Sequence, residues 1–314
     1  MKRLFGMLLA AALFAGPARA ADPIKLIVPF AAGGPVDALA RIIAQELSIR
    51  LSSDVVVENR GGAGGLIAVE AAARAPADGK TILFTSVGAF VITNALRPLP
   101  GYEPLKSFTP VARIGAAPTL FIVNADSPIK TLADLIAKAK QDPTMSYGSA
   151  GAGTTMHIAA EQLNFAAGTK IIHVPYRGAA PALTDIMGNH IDFLNADITV
   201  LYPLIKAGKI RAIALAGTQR SPLLPDVPTT AELGYPGILM ENWYGALVPA
   251  ATPPEVVAKL EAAIMEAVKT PSVWEKISAN GVRDPQDAKA FRAQIEKDIP
   301  YWAAEIKKLG ITAE

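Results

Sequence analysis

Two glycine-rich turns constrain this chain more than anything else in it, because each follows an apolar or strand-like run and leads into a helical pattern. The run Ile24-Lys25-Leu26-Ile27-Val28 enters Pro29-Phe30-Ala31-Ala32-Gly33-Gly34-Pro35-Val36-Asp37. The second turn, Tyr147-Gly148-Ser149-Ala150-Gly151-Ala152-Gly153-Thr154-Thr155, opens onto Met156-His157-Ile158-Ala159-Ala160. A strand, a tight turn and a helix in that order bring backbone close to a ligand and aim the first helical N–H groups at it. Those donors have no partner inside the helix, and the positive end of the helix dipole reinforces them, so each turn is a ready anion site. Two such sites far apart in sequence predict a ligand whose carboxylates are held between two lobes.

Around these turns, strand-like and helix-like stretches alternate. Ile24 to Val28 reads as a buried strand, and Pro35 to Leu51 carries Leu39, Ile42, Ile43 and Leu47 at helical spacing. Pro35 suits a first helical turn, where its missing N–H is no loss. Further strands are expected at 55–57, 81–85, 119–123, 145–147, 171–174, 191–194 and 210–216. Helices are expected at 66–74, 131–140 (capped by Thr131, with Asp134 in its first turn) and 179–188. The βαβα order predicts an α/β fold with a parallel sheet covered by helices on both faces. The stretch from Pro222 to Pro228 reads as a crossover linker. The tail is helical, from Thr252 to about Lys269, then 285–298 and 301–309, with solvated charged faces and no assigned chemistry.

The N-terminus reads as a secretory signal peptide: Lys2 and Arg3, the apolar run Leu4 to Phe14, and the cleavage site Ala18-Arg19-Ala20, cut after Ala20. No later run approaches the roughly 18 apolar residues of a membrane helix. The chain has no cysteine, so disulfides, thiol nucleophiles, lipid attachment and cysteine-based zinc sites are excluded. Of 30 basic residues three leave with the signal, so 27 face 28 acidic ones, and neither nucleic acid nor an anionic membrane is an expected partner. About 294 residues remain of 314, which suits two domains.

Enzyme signatures fail on inspection. Gly79-Lys80-Thr81 resembles the end of a phosphate loop, but Arg74 stands where the first glycine is required, and Lys80 leads into a strand. Gly151-Ala152-Gly153 lacks a third glycine, since Met156 occupies that position. Ser149 has Gly148 and Ala150 beside it, which does not make a nucleophile elbow. His157, His173 and His190 have no metal-ligand spacing. A secreted hydrolase or isomerase on the same scaffold is the alternative, and a nucleophile–base pair in the cleft is the feature that would favour it.

Several stretches spread over the mature chain carry a resemblance. They are the first turn with Asp37; Glu58-Asn59-Arg60 before Gly61-Gly62-Ala63-Gly64-Gly65; Pro76-Ala77-Asp78-Gly79; and Tyr147 to Gly151 with Gly153-Thr154. They continue through His173-Val174-Pro175-Tyr176-Arg177-Gly178, Ala207-Gly208-Lys209-Ile210-Arg211-Ala212, Leu224-Pro225-Asp226-Val227-Pro228-Thr229, and Trp243-Tyr244-Gly245 with Pro249. In these the chain resembles the periplasmic solute-binding proteins of tripartite tricarboxylate transporters, the Bug (TctC-like) family.

The resemblance implies a periplasmic-binding-protein-like fold of two α/β domains, each a mostly parallel sheet flanked by helices, with crossing strands as hinge. Residues 21–122 with 226–314 would form one domain and 123–225 the other. It implies an exported, monomeric, non-enzymatic protein without cofactor or metal. Such a protein captures a small carboxylated solute in the cleft for a membrane transporter or a sensor. The implied site comprises Phe30, Ala31, Ala32, Gly33, Gly34, Pro35 and Asp37 from the first loop. The other lobe would bring Ser149, Ala150, Gly151, Gly153, Thr154 and Thr155. His157 lies one turn further in, Arg177 and Gly178 follow a strand end with Arg177 able to reach a carboxylate bidentately, and Ser86 follows the strand at 81–85. Two departures stand out: Val36 replaces the family's common threonine, and Asn195-Ala196-Asp197 displaces an aspartate by one position. Asp197 in the cleft could accept an ammonium or meet a carboxylate through water, which opens the solute class to acidic amino acids.

Overall fold

The structure is a computed structural model describing residues 22–312; the signal segment and its cleavage point lie outside the described residues. The first apolar run forms β1 (Ile24–Val28), and its turn opens α1 (Pro35–Leu51), whose buried Val36, Leu39, Ile43 and Leu47 follow helical spacing. β1 pairs in parallel with β2 (Val55–Asn59) and β3 (Thr81–Ser86), and α2 (Leu66–Ala73) precedes β3.

β4 (Phe108–Asn124) is almost wholly buried over 17 residues and belongs to both halves of the molecule. From Phe108 to Pro118 it runs antiparallel to β9 (Glu241–Pro249). From Thr119 onward it runs antiparallel to β7 (Phe193–Asp197) and β8 (Ile210–Leu215). The change of partners therefore falls between Pro118 and Thr119. The resulting sheet places β2, β1, β3, β9, β4 and β7 side by side in that order, with β8 also on β4. β5 (Ser146–Ser149) pairs in parallel with β6 (Ile172–Pro175) and β7, so the parallel ladders lie outside and the antiparallel ones at the crossing.

Helices cover both faces: α3 (Leu132–Gln141), α4 (Thr155–Ala167), α5 (Ala179–Met187) and α6 (Ile198–Lys206) in the second lobe, and α7 (Pro254–Lys269), α8 (Pro271–Ser278) and α9 (Ala288–Leu309) returning to the first. Thr131 and Asp134 close a capping box at the start of α3, as the sequence suggests. The tail pattern differs from the expectation of two helices at 285–298 and 301–309. α9 continues through Pro300, because Phe291, Ile295, Trp302 and Ile306 form one buried stripe along it. An internal proline costs about 3 kcal/mol, a loss that burial of four large apolar side chains offsets.

Phe291 holds that helix to the hinge. Its ring meets Trp243 edge-on at 4.9 Å and packs over Gly245 of β9. Trp243 Nε1–H donates to Asp298 at 2.7 Å, and buried Arg113 on β4 donates Nε–H and Nη2–H to the Asp284 carbonyl at 3.1 and 2.6 Å. Phe291→Ala should lower unfolding free energy by about 3–5 kcal/mol in urea denaturation. A loss below about 1 kcal/mol would mean that α9 does not brace the crossing strands.

Candidate functional site

The turn between β1 and α1 is anchored from behind. Asp37, buried on the first turn of α1, accepts from the Gly33 N–H at 2.9 Å, from Arg41 at 3.0 Å on each oxygen, and from Asn59 Nδ2–H at 2.9 Å. Asn59 also donates to the Phe30 carbonyl at 3.0 Å, which ties β2 to the same turn. Burial works to raise the Asp37 carboxyl, but the hydrogen bonds from Arg41, Gly33 and Asn59 outweigh it and hold it below the usual range.

With the turn so held, Phe30, Gly34, Pro35 and Val36 face a small cavity between the lobes. Ala150, Thr154, Thr155 and Met156 of the second turn face it from the other side. The first turns of α1 and α4 thus point at one space from opposite lobes. Neither helix supplies acceptors for its first amides. Thr154 turns its own hydroxyl back to the Gly151 carbonyl at 2.7 Å.

Ser86, Ala179, Asp197 and Asn242 complete the wall. Asp197 is 4% exposed and accepts from Asn242 Nδ2–H at 3.0 Å across the crossing strands. Its other oxygen, Asn242 Oδ1, the Tyr244 hydroxyl and the Thr199 hydroxyl are buried without well-formed hydrogen bonds among the described residues. Tyr244 lies beside Asp197 without closing a well-formed hydrogen bond. Burial pushes the Asp197 carboxyl up to about 7, against the opposing pull of Asn242 and Tyr244. Buried polar atoms left unpaired in a protein interior mark a place where a solute or water completes the set.

Among the residues singled out in the sequence, Phe30, Gly34, Pro35, Ser86, Ala150, Thr154, Thr155 and Asp197 line this cavity. Ala31, Ala32, Gly33 and Asp37 form or anchor its loop without lining it. Ser149, Gly151 and Gly153 shape the second turn from within. Arg177 is exposed, and it is its carbonyl, not its guanidinium, that reaches the first lobe, accepting from the Ala31 N–H at 3.1 Å. Gly178 lies against Ala31, where a Cβ would come within 3.1 Å of the amide nitrogen. His157 sits on the far side of its turn, stacked on His173 at 4.1 Å. Val36, which the sequence marks only as a departure, and Met156, Ala179 and Asn242 line the cavity without being among the site residues the sequence suggests. The first two are helix-start residues that the turn argument could have included, whereas Asn242 has only the neighbouring Trp243-Tyr244-Gly245 to flag it.

Between the lobes, backbone meets backbone. A Cβ at Gly61 would stand 3.1 Å from the Arg177 carbonyl, one at Gly88 3.0 Å from the Thr155 nitrogen, and one at Gly151 3.2 Å from Gly64. A side chain at Gly64, whose φ is +63°, would press on the Ala152 carbonyl. Thr93 donates its hydroxyl toward the Gly64 and Gly88 carbonyls at 3.1 and 2.9 Å, fixing that strip from the first lobe.

Among the described residues a serine–histidine pair is formed, with Ser149 Oγ 2.6 Å from His173 Nε2. Ser149 is fully buried, and its oxygen also accepts from the Gly151 N–H at 3.0 Å. Burial pushes His173 down to about 4, no carboxylate orients its ring, and the pair does not line the interlobe cavity. These features make it a structural pair and not an acyl-transfer dyad.

Comparison with known proteins bears on the same architecture. BugT of Bordetella pertussis is 32% identical over 98% of this chain and 96% of its own length. The solved structure of the periplasmic binding protein BugD superposes with a TM-score of 0.89 at 35% identity, covering 93% of this chain and 99% of its own. MatC from Rhodopseudomonas palustris with bound malate gives 0.87 at 30% identity, covering 90% and 98%. R. palustris Rpa4515 with adipate gives 0.88 at 33%, covering 92% and 98%. The tripartite tricarboxylate transporter family receptor profile, TctC, matches residues 39–311. That match spans most of the sequence, including the second turn and the crossing strands, and the chain belongs to the TctC family.

Proposed function

We propose that this protein is a periplasmic solute-binding receptor. It holds a small carboxylated solute between its lobes and presents it to a tripartite tricarboxylate-type transporter or to a sensor. The observation that carries this is the convergence of two helix N-termini, α1 and α4, on one interlobe cavity. Each terminus contributes roughly 0.3–1 kcal/mol toward an anion, about 2 where partly buried. A dicarboxylate can engage both, which links ligand affinity to lobe closure. The malate and adipate held by the two R. palustris relatives support that solute class. The lobes are taken to exchange at Pro118/Thr119 and again along the return segment before β9.

A solute panel tests this on the mature protein. A ligand at 100 times its Kd raises folding free energy by about 2.7 kcal/mol. Malate, adipate and related diacids should shift the melting temperature accordingly, while their diamides should not. Equal shifts with the diamides, or none with any acid, would contradict the proposal.

Asp197 sets the pH dependence. Its carboxyl titrates near about 7, so below that it is neutral and above it a buried negative charge faces the solute. A bound dianion raises that value further, so binding takes up a proton and the affinity for unsubstituted or hydroxylated diacids should fall by up to about tenfold per pH unit above 7. Asp197→Asn should flatten the profile. An amino diacid that uses the ionised carboxylate for its ammonium would show the opposite slope, tightening as pH rises.

The glycine strip tests closure apart from ligand contact. Gly64→Ala, whose Cβ would press on the Ala152 carbonyl across the seam and on Thr93 within its own lobe, should weaken solute binding by about tenfold and shift the free protein toward an open form in small-angle scattering. Unchanged affinity in the folded variant would show that closure tolerates a side chain there.

A further inference from the structure

The second turn has a face turned away from the cavity, and that face rests on a column of rings. Tyr147, His173 and His157 stack with centroids 5.0 and 4.1 Å apart and planes inclined by 18° and 20°. His157 Nδ1 accepts the Gly153 N–H at 3.1 Å. His173 Nε2 lies 2.6 Å from Ser149 Oγ, which accepts the Gly151 N–H at 3.0 Å. The amides of Gly151 and Gly153 are therefore drawn backward, off the cavity side. Both glycines have positive φ, +127° and +80°, a region in which the chain has little preference of its own and needs outside anchors.

The His157 anchor requires a neutral ring, since Nδ1 must accept, whereas Ser149 Oγ accepts the Gly151 N–H with the His173 proton on either nitrogen. Burial, aided by neighbouring His173, pushes His157 down to about 3, and burial alone pushes His173 down to about 4. With Nδ1 accepting, the proton of His157 sits on Nε2. The charged and titratable groups facing the pair are Tyr147 from β5, which donates to Glu161 at 2.5 Å, Glu161 on α4 itself, and Lys170 from the segment before β6. The segment Leu309–Thr312 that closes the recess on the other side brings no charge.

We propose that His157 and His173 are positioning residues for the solute's carboxylate: they hold the Ser149–Thr154 turn so that the first amides of α4 face the cleft. This rests on the solute-binding function proposed above. Neither histidine touches the solute, and their effect passes through the Gly153 amide and Ser149.

Paired variants separate this role from simple packing. His157→Leu keeps an apolar filler and removes the acceptor, whereas His157→Asn restores an oxygen near the place of Nδ1. His173→Leu and His173→Gln make the matching pair for Nε2. With L-malate and adipate as probes in calorimetric titration, each Leu variant should bind about tenfold more weakly than wild type. The Asn and Gln variants should stay within about threefold of it. Leu and amide variants that bind alike would overturn the inference, even if all of them melt lower. Amide exchange measured by NMR decides the matter without any solute. The Gly153 N–H should be protected in wild type and His157→Asn and exchange fast in His157→Leu, and equal exchange in all three would overturn it. If neither probe binds wild type, the proposed function fails for these acids while the amide measurement still decides the anchoring.

Discussion

Backbone can approach backbone only where no Cβ intervenes, and the closed arrangement of this protein rests on that constraint. Gly61, Gly64 and Gly88 in the first lobe meet Arg177, Gly151, Ala152 and Thr155 in the second so closely that a methyl group at Gly64 has no room and one at the others would push the facing backbone back. The Ala31 N–H reaches the Arg177 carbonyl across the same seam. Because the lobes dock this closely, the N-termini of α1 and α4 share one cavity. Were the seam wider by one side chain, the two helix ends would act as separate weak anion sites.

Electrostatics inside that cavity are balanced, not simply positive. Two helix ends favour negative charge, while Asp197, 4% exposed, opposes it. The protein keeps Asp197 near neutrality by burial and gives it one donor, Asn242, from the other side of the crossing. Around it stand buried oxygens of Thr199, Asn242 and Tyr244 that make no well-formed hydrogen bond among the described residues. Such a set is costly in a closed interior and is the expected signature of a functional site rather than of the core. Asp37 shows the opposite design: a carboxylate saturated with donors serves as an anchor and stays charged.

Much of the fold is legible in the sequence where local pattern and tertiary role agree. Pro35 and the apolar positions of α1 give its two ends, and Thr131 with Asp134 gives the start of α3. β4 is the element least visible locally. Pro110, Gly115 and Pro118 interrupt it, residues that argue against a central strand, yet the strand absorbs them with register shifts between Pro110 and Ala112 and between Arg113 and Gly115. Likewise Pro300 splits the tail into two apparent helices, and only the buried stripe from Phe291 to Ile306 reveals one. At the site, the helix starts are readable because their chemistry is in the backbone. The direction of a side chain such as His157, or the exposure of Arg177, depends on packing between segments far apart in sequence, which local pattern does not encode.

In the function proposed above, a carboxylated solute bridges two opposed helix N-termini. The most direct measurement is a crystal structure of the mature protein with L-malate or adipate. One carboxylate should lie at the first amides of α1, near Val36, and the other beside Thr155 and Met156, with Asp197 and Asn242 within hydrogen-bonding reach of the solute or of a water it holds. A solute lodged outside the interlobe cavity, or held chiefly by the Arg177 guanidinium with both helix ends unused, would contradict it.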